Sequence, residues 1–198
     1  MHNSKSITLV LSILTLTLFA LASASTAAAQ RRDYMSEAEI EIIRDAQDID
    51  TRIEVLTRMI DRRFAVLRIE VGGWKQAKKE SDAWGEMPKG TRLELFSDIK
   101  KLLQKAIDDI DNLAAHPNAA PIRDKEEKNS KEAKKDPQRF GLAVRKLGQA
   151  AGRYLTPLKS TLDKATDEKE KGLLLDSIDF CNQIIDAVGK LPPESKKK

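Results

Sequence analysis

The sequence is poor in the residue types on which most catalytic and cofactor sites depend. Its 198 residues include one cysteine and two histidines, and aromatic residues make up only 5%. A single cysteine excludes an intrachain disulfide framework, a cysteine zinc cluster and an iron–sulfur centre. Nine glycines and seven prolines are too few for the frequent turns of a β-sandwich or barrel. The composition therefore predicts one all-α domain.

The first 29 residues have the pattern of a secretory signal peptide. Lys5 precedes a charge-free apolar run over 7–22, which is too short to span a membrane comfortably. The triplet 27–29 then supplies small residues for cleavage, so we expect the mature chain to begin at Gln30. An uncleaved anchor is the alternative. The pattern predicts an exported protein, periplasmic or extracellular, with no transmembrane anchor after cleavage.

The charge balance gives little reason to expect a nucleic-acid partner. Removal of residues 1–29 takes away Lys5 and no acidic residue, which lowers the formal net charge by one from +4. Basic and acidic residues are interleaved along the chain, whereas nucleic-acid binding calls for a basic stripe.

Four segments carry apolar residues at the three- and four-residue spacing of an amphipathic helix. Three of them begin with an N-cap residue followed three positions later by glutamate, the pairs being Ser36/Glu39, Thr91/Glu94 and Asp167/Glu170. The predicted helices span about 36–71, 91–115, 137–165 and 168–190. Four such stripes predict an up-down-up-down four-helix bundle over 36–191, behind a short N-terminal segment at 30–35.

Glycine and proline mark the predicted boundaries. Gly72 and Gly73 are expected to end the first helix, and Asp136-Pro137 to begin the third. Pro157 lies inside the third stripe and is expected to kink or split that helix. Residues 117–136 alternate lysine and glutamate and predict a solvated linker. The tail at 192–198 is predicted to be a disordered basic segment.

Acidic clusters are the candidates for a metal site. Asp108, Asp109 and Asp111 come close together in the second helix, and hard cations favour several carboxylate oxygens. No Glu-x-x-His pair accompanies them, so the alternative is a solvated face of ion pairs such as Asp48 with Arg52. We expect no cofactor.

Four further positions have an ordinary structural interpretation. His116 is expected at a helix end, and Cys181 in the fourth apolar stripe, where it acts as a small buried hydrophobe. Gly148 and Gly152 give the third helix a face of small residues, which predicts close approach of another backbone. Room for a flat ligand such as haem is the alternative there.

The connection between the first two helices holds both tryptophans. Trp74, Lys75, Lys78, Lys79 and Trp84 form the candidate interaction surface, exposed to a glycan, peptide or lipid. The alternative is a lid that buries both rings against the end of the first helix. If only one ring is exposed, we expect it to be Trp84.

Part of the first helix resembles a known group of proteins. The run Arg44-Asp45-Ala46-Gln47-Asp48, with Arg52-Ile53 and Arg62-Arg63 after it, is similar to the first helix of a group of uncharacterised exported bacterial helical proteins. The resemblance brings no activity with it. It implies that Arg44 and Arg52 are structural ion-pair partners in this helix.

Together these patterns favour a non-enzymatic exported helical bundle that binds a protein or a component of the cell envelope. No catalytic residue is predicted, because no nucleophile–histidine pair or phosphate-binding loop is present in the sequence. A small-ligand or metal-binding bundle is the alternative, and a secreted enzyme that uses carboxylates alone comes third. The oligomeric state is left open.

Overall fold

The computed structural model describes residues 32–73, 81–116 and 138–193. These residues form six helical elements within one compact unit that begins at Tyr34. The elements are α1 (Glu37–Asp45), α2 (Ile49–Val66), α3 (Ser81–Trp84), α4 (Arg92–Ala115), α5 (Gln138–Leu162) and α6 (Glu168–Gly189). The described residues contain no strand, so the all-α prediction is confirmed. None of these helices is long and apolar enough to cross a membrane.

Several predictions concern residues outside the described ranges. They are the signal peptide at 1–29, four of the five residues of the tryptophan segment (Trp74, Lys75, Lys78 and Lys79), the linker at 117–136, the helix start at Asp136-Pro137, and the tail beyond Pro193.

Three of the four predicted helix starts lie within the described residues, and these three are confirmed. The Ser36 hydroxyl accepts from the Glu39 amide at 3.2 Å, and the Glu39 carboxylate accepts from the Ser36 amide at 3.0 Å. Thr91 and Glu94 make the same reciprocal pair at the start of α4. Asp167 accepts from the Glu170 amide at 2.8 Å. Each contact supplies an acceptor for an amide that lacks one in the first turn of a helix.

The continuous first helix predicted over 36–71 is wrong. The chain turns at Ala46, where φ is −74° and ψ is 80°, and the Gln47 amide donates to the Asp45 carbonyl at 2.9 Å. This is an inverse γ-turn, and it separates α1 from α2. The Arg52 guanidinium donates to the Ile43 carbonyl at 3.0 Å. This bond gives a donor to a carbonyl group at the C-terminal end of α1. Neither glycine nor proline marks this turn in the sequence.

The predicted helix end at Gly72-Gly73 is also wrong, because α2 ends at Val66. The Arg68 amide donates to the Ala65 carbonyl at 3.1 Å and the Ile69 amide to the Phe64 carbonyl at 2.9 Å. These two bonds form a Schellman motif, in which one residue takes the left-handed conformation. Here that residue is Arg68, with φ of 58°, instead of the usual glycine.

Helices α5 and α6 lie close to their predicted bounds. The split that we considered at Pro157 does not occur, since α5 continues through it to Leu162, three residues short of the predicted end. The Thr161 hydroxyl donates to the Pro157 carbonyl at 2.8 Å and supports the last turn. Helix α6 ends at Gly189, one residue before its predicted end.

The four long helices contact one another in a ring. Helix α2 packs on α4 and α5, and α6 packs on the same two. Helices α2 and α4 run in opposite directions, as the pairs Arg52–Asp109 and Arg63–Asp98 establish. Helices α2 and α5 run in the same direction, as the pairs Arg139–Asp48 and Arg153–Asp61 establish. Helices α4 and α6 also run in the same direction, as the pairs Arg92–Glu170 and Lys100–Asp176 establish.

The close approach of another backbone that was predicted at Gly148 and Gly152 is not found at either glycine. A Cβ on Gly148 would lie 2.3 Å from Cγ2 of Val188 in α6, so only glycine fits at that contact. The neighbour is a side chain and not backbone. No atom lies within 4 Å of the position that a Cβ on Gly152 would take. The small face of α5 therefore admits the Val188 side chain.

Candidate functional site

Three consecutive residues of α2 place charges inside the protein. Asp61 is 5% exposed, and Arg62 and Arg63 are each 1% exposed. Glu39 of α1 and Asp98 of α4 are buried beside them, at 1% and 2%. We call these five residues the buried ionic cluster. Because each residue of a helix is turned about 100° from the last, the three members in α2 contact different elements.

Glu39 is the central acceptor of the cluster. One carboxylate oxygen accepts from Arg62 at 3.0 Å and from Arg63 at 2.5 Å. The other accepts from Arg63 at 2.7 Å, in addition to the Ser36 amide of the capping box. Asp98 lies on the far side, 3.8 Å from Nε of Arg63. A single carboxylate thus joins α1 to two guanidinium groups of α2.

The same two arginines hold loop segments in place. Arg63 donates to the Tyr34 carbonyl at 2.7 Å. Arg62 donates to the Glu86 carbonyl at 2.6 Å, and its guanidinium lies 5.3 Å from the Trp84 ring centroid. The chain before α1 and the chain after α3 are therefore both anchored to the middle of the bundle.

On its other side the cluster reaches α5. The Tyr154 hydroxyl donates to Asp61 at 2.7 Å, and Arg153 donates to the other oxygen of Asp61 at 3.3 Å. Arg153 also donates to the Gly72 carbonyl at 2.7 Å. A Cβ on Gly73 would lie 2.0 Å from this guanidinium, so the glycine leaves room for it. Gly72 and Gly73 thus serve the contact with Arg153 and not the end of the helix.

Burial sets the electrostatics of these groups. It lowers the pKa of Arg62 from its ordinary value; the Glu39 charge opposes this effect and the Arg63 charge adds to it. Arginine nevertheless stays protonated in proteins, so the two guanidinium groups require their countercharge. Burial, with the charge of Asp61, raises the pKa of Tyr154 well above its usual range, so the phenol remains a donor.

An open groove borders the segment that Arg63 anchors. It has a volume of 360 Å³ and is lined by Tyr34, Lys100, Lys101, Gln104, Lys105 and Asp108. We call it the lysine groove. The five residues from α4 share one face of that helix because they recur at intervals of about four. The lining carries three ammonium groups and one carboxylate, and two of the lysines also pair with aspartates next to the groove.

Local contacts fix the side chains that line the lysine groove. Lys100 binds Asp176 of α6 at 2.6 Å, and Lys105 binds Asp109 at 3.1 Å. The ammonium of Lys101 lies 5.7 Å from the centroid of the Tyr34 ring, which is a cation–π distance. The groove therefore has an aromatic wall whose backbone is held by the buried Arg63.

The structure separates the three aspartates that were candidates for a metal site. Asp109 accepts from Arg52 at 2.9 Å and from Lys105, so α2 and α4 share its charge. Asp108 is exposed and accepts from Gln104 at 2.7 Å, and Asp111 is exposed on the next turn. Within the described residues no group of three or more histidine, cysteine or acidic side chains is placed to hold a metal ion. Arg52 pairs with Asp109, so the predicted Asp48–Arg52 pair is wrong.

Trp84 is the described residue of the predicted interaction surface, and it is buried. It is 6% exposed and lies between Arg58 and Arg62, whose guanidinium carbons are 5.2 and 5.3 Å from its ring centroid. Trp84 was expected to be exposed only if one of the two rings were exposed, and Trp74 lies outside the described residues, so that conditional expectation is not tested. The position of Trp84 agrees with the lid interpretation, although two arginines flank the ring.

The remaining titratable candidates have the structural roles that we expected. His116 caps the end of α4, with Nδ1 3.2 Å from the Asn112 carbonyl oxygen. Cys181 is fully buried, and burial raises the pKa of its thiol to about 12. A thiol with so high a pKa is a weak nucleophile at neutral pH.

Sequence reasoning identified Glu39 only as a capping residue and missed the cluster. A signal was present in the pattern: Asp61-Arg62-Arg63 lies between Ile60 and Phe64, both on the apolar stripe of the same helix. Three consecutive charged residues at this level of the apolar stripe are expected to be close to neighbouring helices. The pattern does not name the partners, which come from segments 23 to 93 positions away.

Comparison of the chain with protein families, with curated proteins and with solved structures finds no match.

Proposed function

We propose that the chain is an exported, non-enzymatic binding protein that holds an acidic segment of a partner protein in the lysine groove. The proposal rests on one observation: three ammonium groups line one face of α4 beside Tyr34, whose backbone is held by the buried Arg63. Each lysine offers three donors that suit carboxylate oxygens. An open groove suits an extended chain segment better than an enclosed small molecule.

The scaffold that we propose for this function is an up-down-up-down four-helix bundle. The directions of the cross-helix ion pairs support it, since α2 and α5 run opposite to α4 and α6. The ring order is α2, α4, α6, α5, so the chain crosses a diagonal of the bundle between α4 and α5. A rigid bundle with a groove along one helix is a suitable platform for a binding surface.

Binding to a labelled peptide tests the groove. We expect a fluorescein-labelled oligoglutamate peptide to bind saturably and more weakly as salt is raised. Lys101→Glu should weaken binding by about tenfold or more, because it places like charges together. Lys159→Glu makes the same charge change on α5 and should leave affinity almost unchanged. Equal loss in both variants, or binding to anionic phospholipid vesicles but not to the peptide, would contradict the proposal.

Export is tested by the intact mass of the protein recovered from outside the cytoplasm. The sequence predicts a chain that begins at Gln30, as glutamine or pyroglutamate. A mass that retains residues 1–29 would show that the signal peptide is not cleaved and would contradict the proposed localisation.

A further inference from the structure

The turn between α1 and α2 is weakly specified by its own residues. The apolar stripe continues across it without a phase change, through Ile42, Ala46, Ile49 and Ile53. Asp48 is the N-cap of α2, yet its side chain makes no capping hydrogen bond. Gln47 is exposed. The same residues therefore suit an uninterrupted helix over 37–66, which would be about 45 Å long.

Helix α1 is attached to the rest of the protein at few places. Among the described helices it packs only on α2 and on the short α3. Its buried residues are Glu39 and Ile43, with Ala46 at the turn. The Arg52 guanidinium donates to the carbonyls of Ile43 and Ala46 and so holds the C-terminal end of α1. These contacts do not depend on the covalent connection at the turn.

Straightening the turn would take Glu39 away from Arg62 and Arg63. Arg62 would lose its carboxylate and Arg63 would keep only Asp98, 3.8 Å from its Nε, so an opened chain needs another carboxylate at that place. The α1 helix of a second copy carries that carboxylate on a backbone of the required shape. The buried contacts of Glu39 and Ile43 can be restored between copies, and helical hydrogen bonds across the straightened turn replace the contacts of Arg52 with the carbonyls of Ile43 and Ala46.

We propose that α1 exchanges between two copies of this chain, each donating its α1 to the Arg62–Arg63 surface of the other. The partner is a second copy, and the interface is the surface that α1 covers in the structure. Such an exchange is reciprocal and closes as a two-fold dimer. This inference is independent of the lysine groove and of the ligand proposed for it.

The conformation of residue 47 provides the first test. Gln47→Ala favours a helical hinge and Gln47→Gly disfavours it, and because residue 47 is exposed the two variants differ in little else. Sedimentation equilibrium should show a dimer whose association constant is about thirtyfold larger for the alanine variant, since two hinges straighten in each dimer. Monomers only for both variants up to millimolar concentration, or a dimer insensitive to residue 47, would overturn the proposal.

Charge complementation provides the second test, which does not require either variant to fold alone. One chain carries Glu39→Lys and the other Arg63→Glu. In the exchanged heterodimer the native Arg62–Arg63 surface of the first chain binds the α1 helix of the second chain, which carries the native Glu39. The surface of the second chain, altered by Arg63→Glu, binds the α1 helix of the first chain, which carries a lysine at position 39. Refolding the two together should yield a heterodimer with native helix content, at least tenfold enriched over either homodimer. Failure of the mixture to form this heterodimer, while wild-type chains refold alongside, would overturn the proposal.

Discussion

Apolar residues within 53–60 of α2 and the charged residues 61–63 are both buried, but by different means. The first stretch contributes apolar side chains that are completely enclosed, namely Ile53, Leu56, Met59 and Ile60. Burial of each side chain contributes about 1.5–3 kcal/mol to the free energy of folding, and any apolar neighbour of suitable shape can provide it. The second stretch, Asp61-Arg62-Arg63, loses several kcal/mol per ion on burial, and only particular partners offset that loss. The apolar stretch drives the packing, and the charged stretch decides which segments lie against it.

The largest expected effect comes from removing the central acceptor of the buried ionic cluster. Glu39→Ala leaves two buried guanidinium groups without their carboxylate and should lower the free energy of unfolding by about 3–5 kcal/mol in urea titration. In an Arg63→Ala background the same change should cost at least about 1 kcal/mol less, because the two residues act as a pair.

A surface glutamate on the same helix is the control for this measurement. Glu41 pairs with Arg44, and both side chains are more than half exposed, at 62% and 65%. Glu41→Ala should change the free energy of unfolding by no more than about 0.5 kcal/mol. Equal losses for Glu39→Ala and Glu41→Ala would remove the distinction between the buried charges and ordinary surface pairs.

The next effect concerns the tryptophan that the cluster holds. Trp84→Ala should cost about 3 kcal/mol of unfolding free energy, because it empties the space between Arg58 and Arg62. In a Trp74→Phe background, where Trp84 is the sole fluorophore, emission should be blue-shifted in the native protein and red-shifted in urea. Red emission from the native protein would show that the ring is wet.

A smaller effect is expected at the apolar contact of α5 with α6. Gly148→Ala would place its Cβ 2.3 Å from Val188 and should lower the free energy of unfolding by about 1–3 kcal/mol. Gly152→Ala meets no neighbour and should stabilise the protein by up to about 1 kcal/mol through helix propensity. If Val188→Ala does not relieve the Gly148→Ala defect, the contact with Val188 is not its cause.

The smallest effect is a gain at the end of α2. Arg68 has a φ of 58° in the Schellman motif, which disfavours a residue with a Cβ. Arg68→Gly should raise the free energy of unfolding by about 1 kcal/mol. Lys159→Gly, at an exposed position inside α5, should lower it by a similar amount. A loss at residue 68 would mean that the Arg68 side chain contributes more than its backbone strain costs.

The sequence predicts those parts of the fold that depend on residue patterns close in the chain. The capping pairs at Ser36, Thr91 and Asp167 and the bounds of α4 and α6 follow from neighbours within four positions. The turn at Ala46 and the early end of α2 do not, since tertiary contacts override a continuous helical pattern there. Arg68 also occupies the position where a glycine would have marked the helix end.

The candidate site is less predictable for the same reason. No local sequence pattern indicates that Glu39 contacts Arg62 and Arg63, which lie 23 and 24 positions further along the chain. The local sequence left open whether Trp84 is exposed or packed; the ring is buried where Arg62 also binds the carbonyls of residues 85 and 86. Alternation of apolar and polar residues identifies a buried face but does not identify which charges will be paired inside it.

Amide hydrogen exchange of α1 tests most directly whether Glu39 fastens this helix and the neighbouring Tyr34 segment to the bundle. In Glu39→Gln protein we predict that amides 40–45 lose protection at least about a hundredfold more than the slowest amides of α5, because α1 opens locally while the long helices stay closed. A uniform loss across α1 and α5 would contradict this account, since it would make the cluster a general stabiliser rather than the attachment of α1.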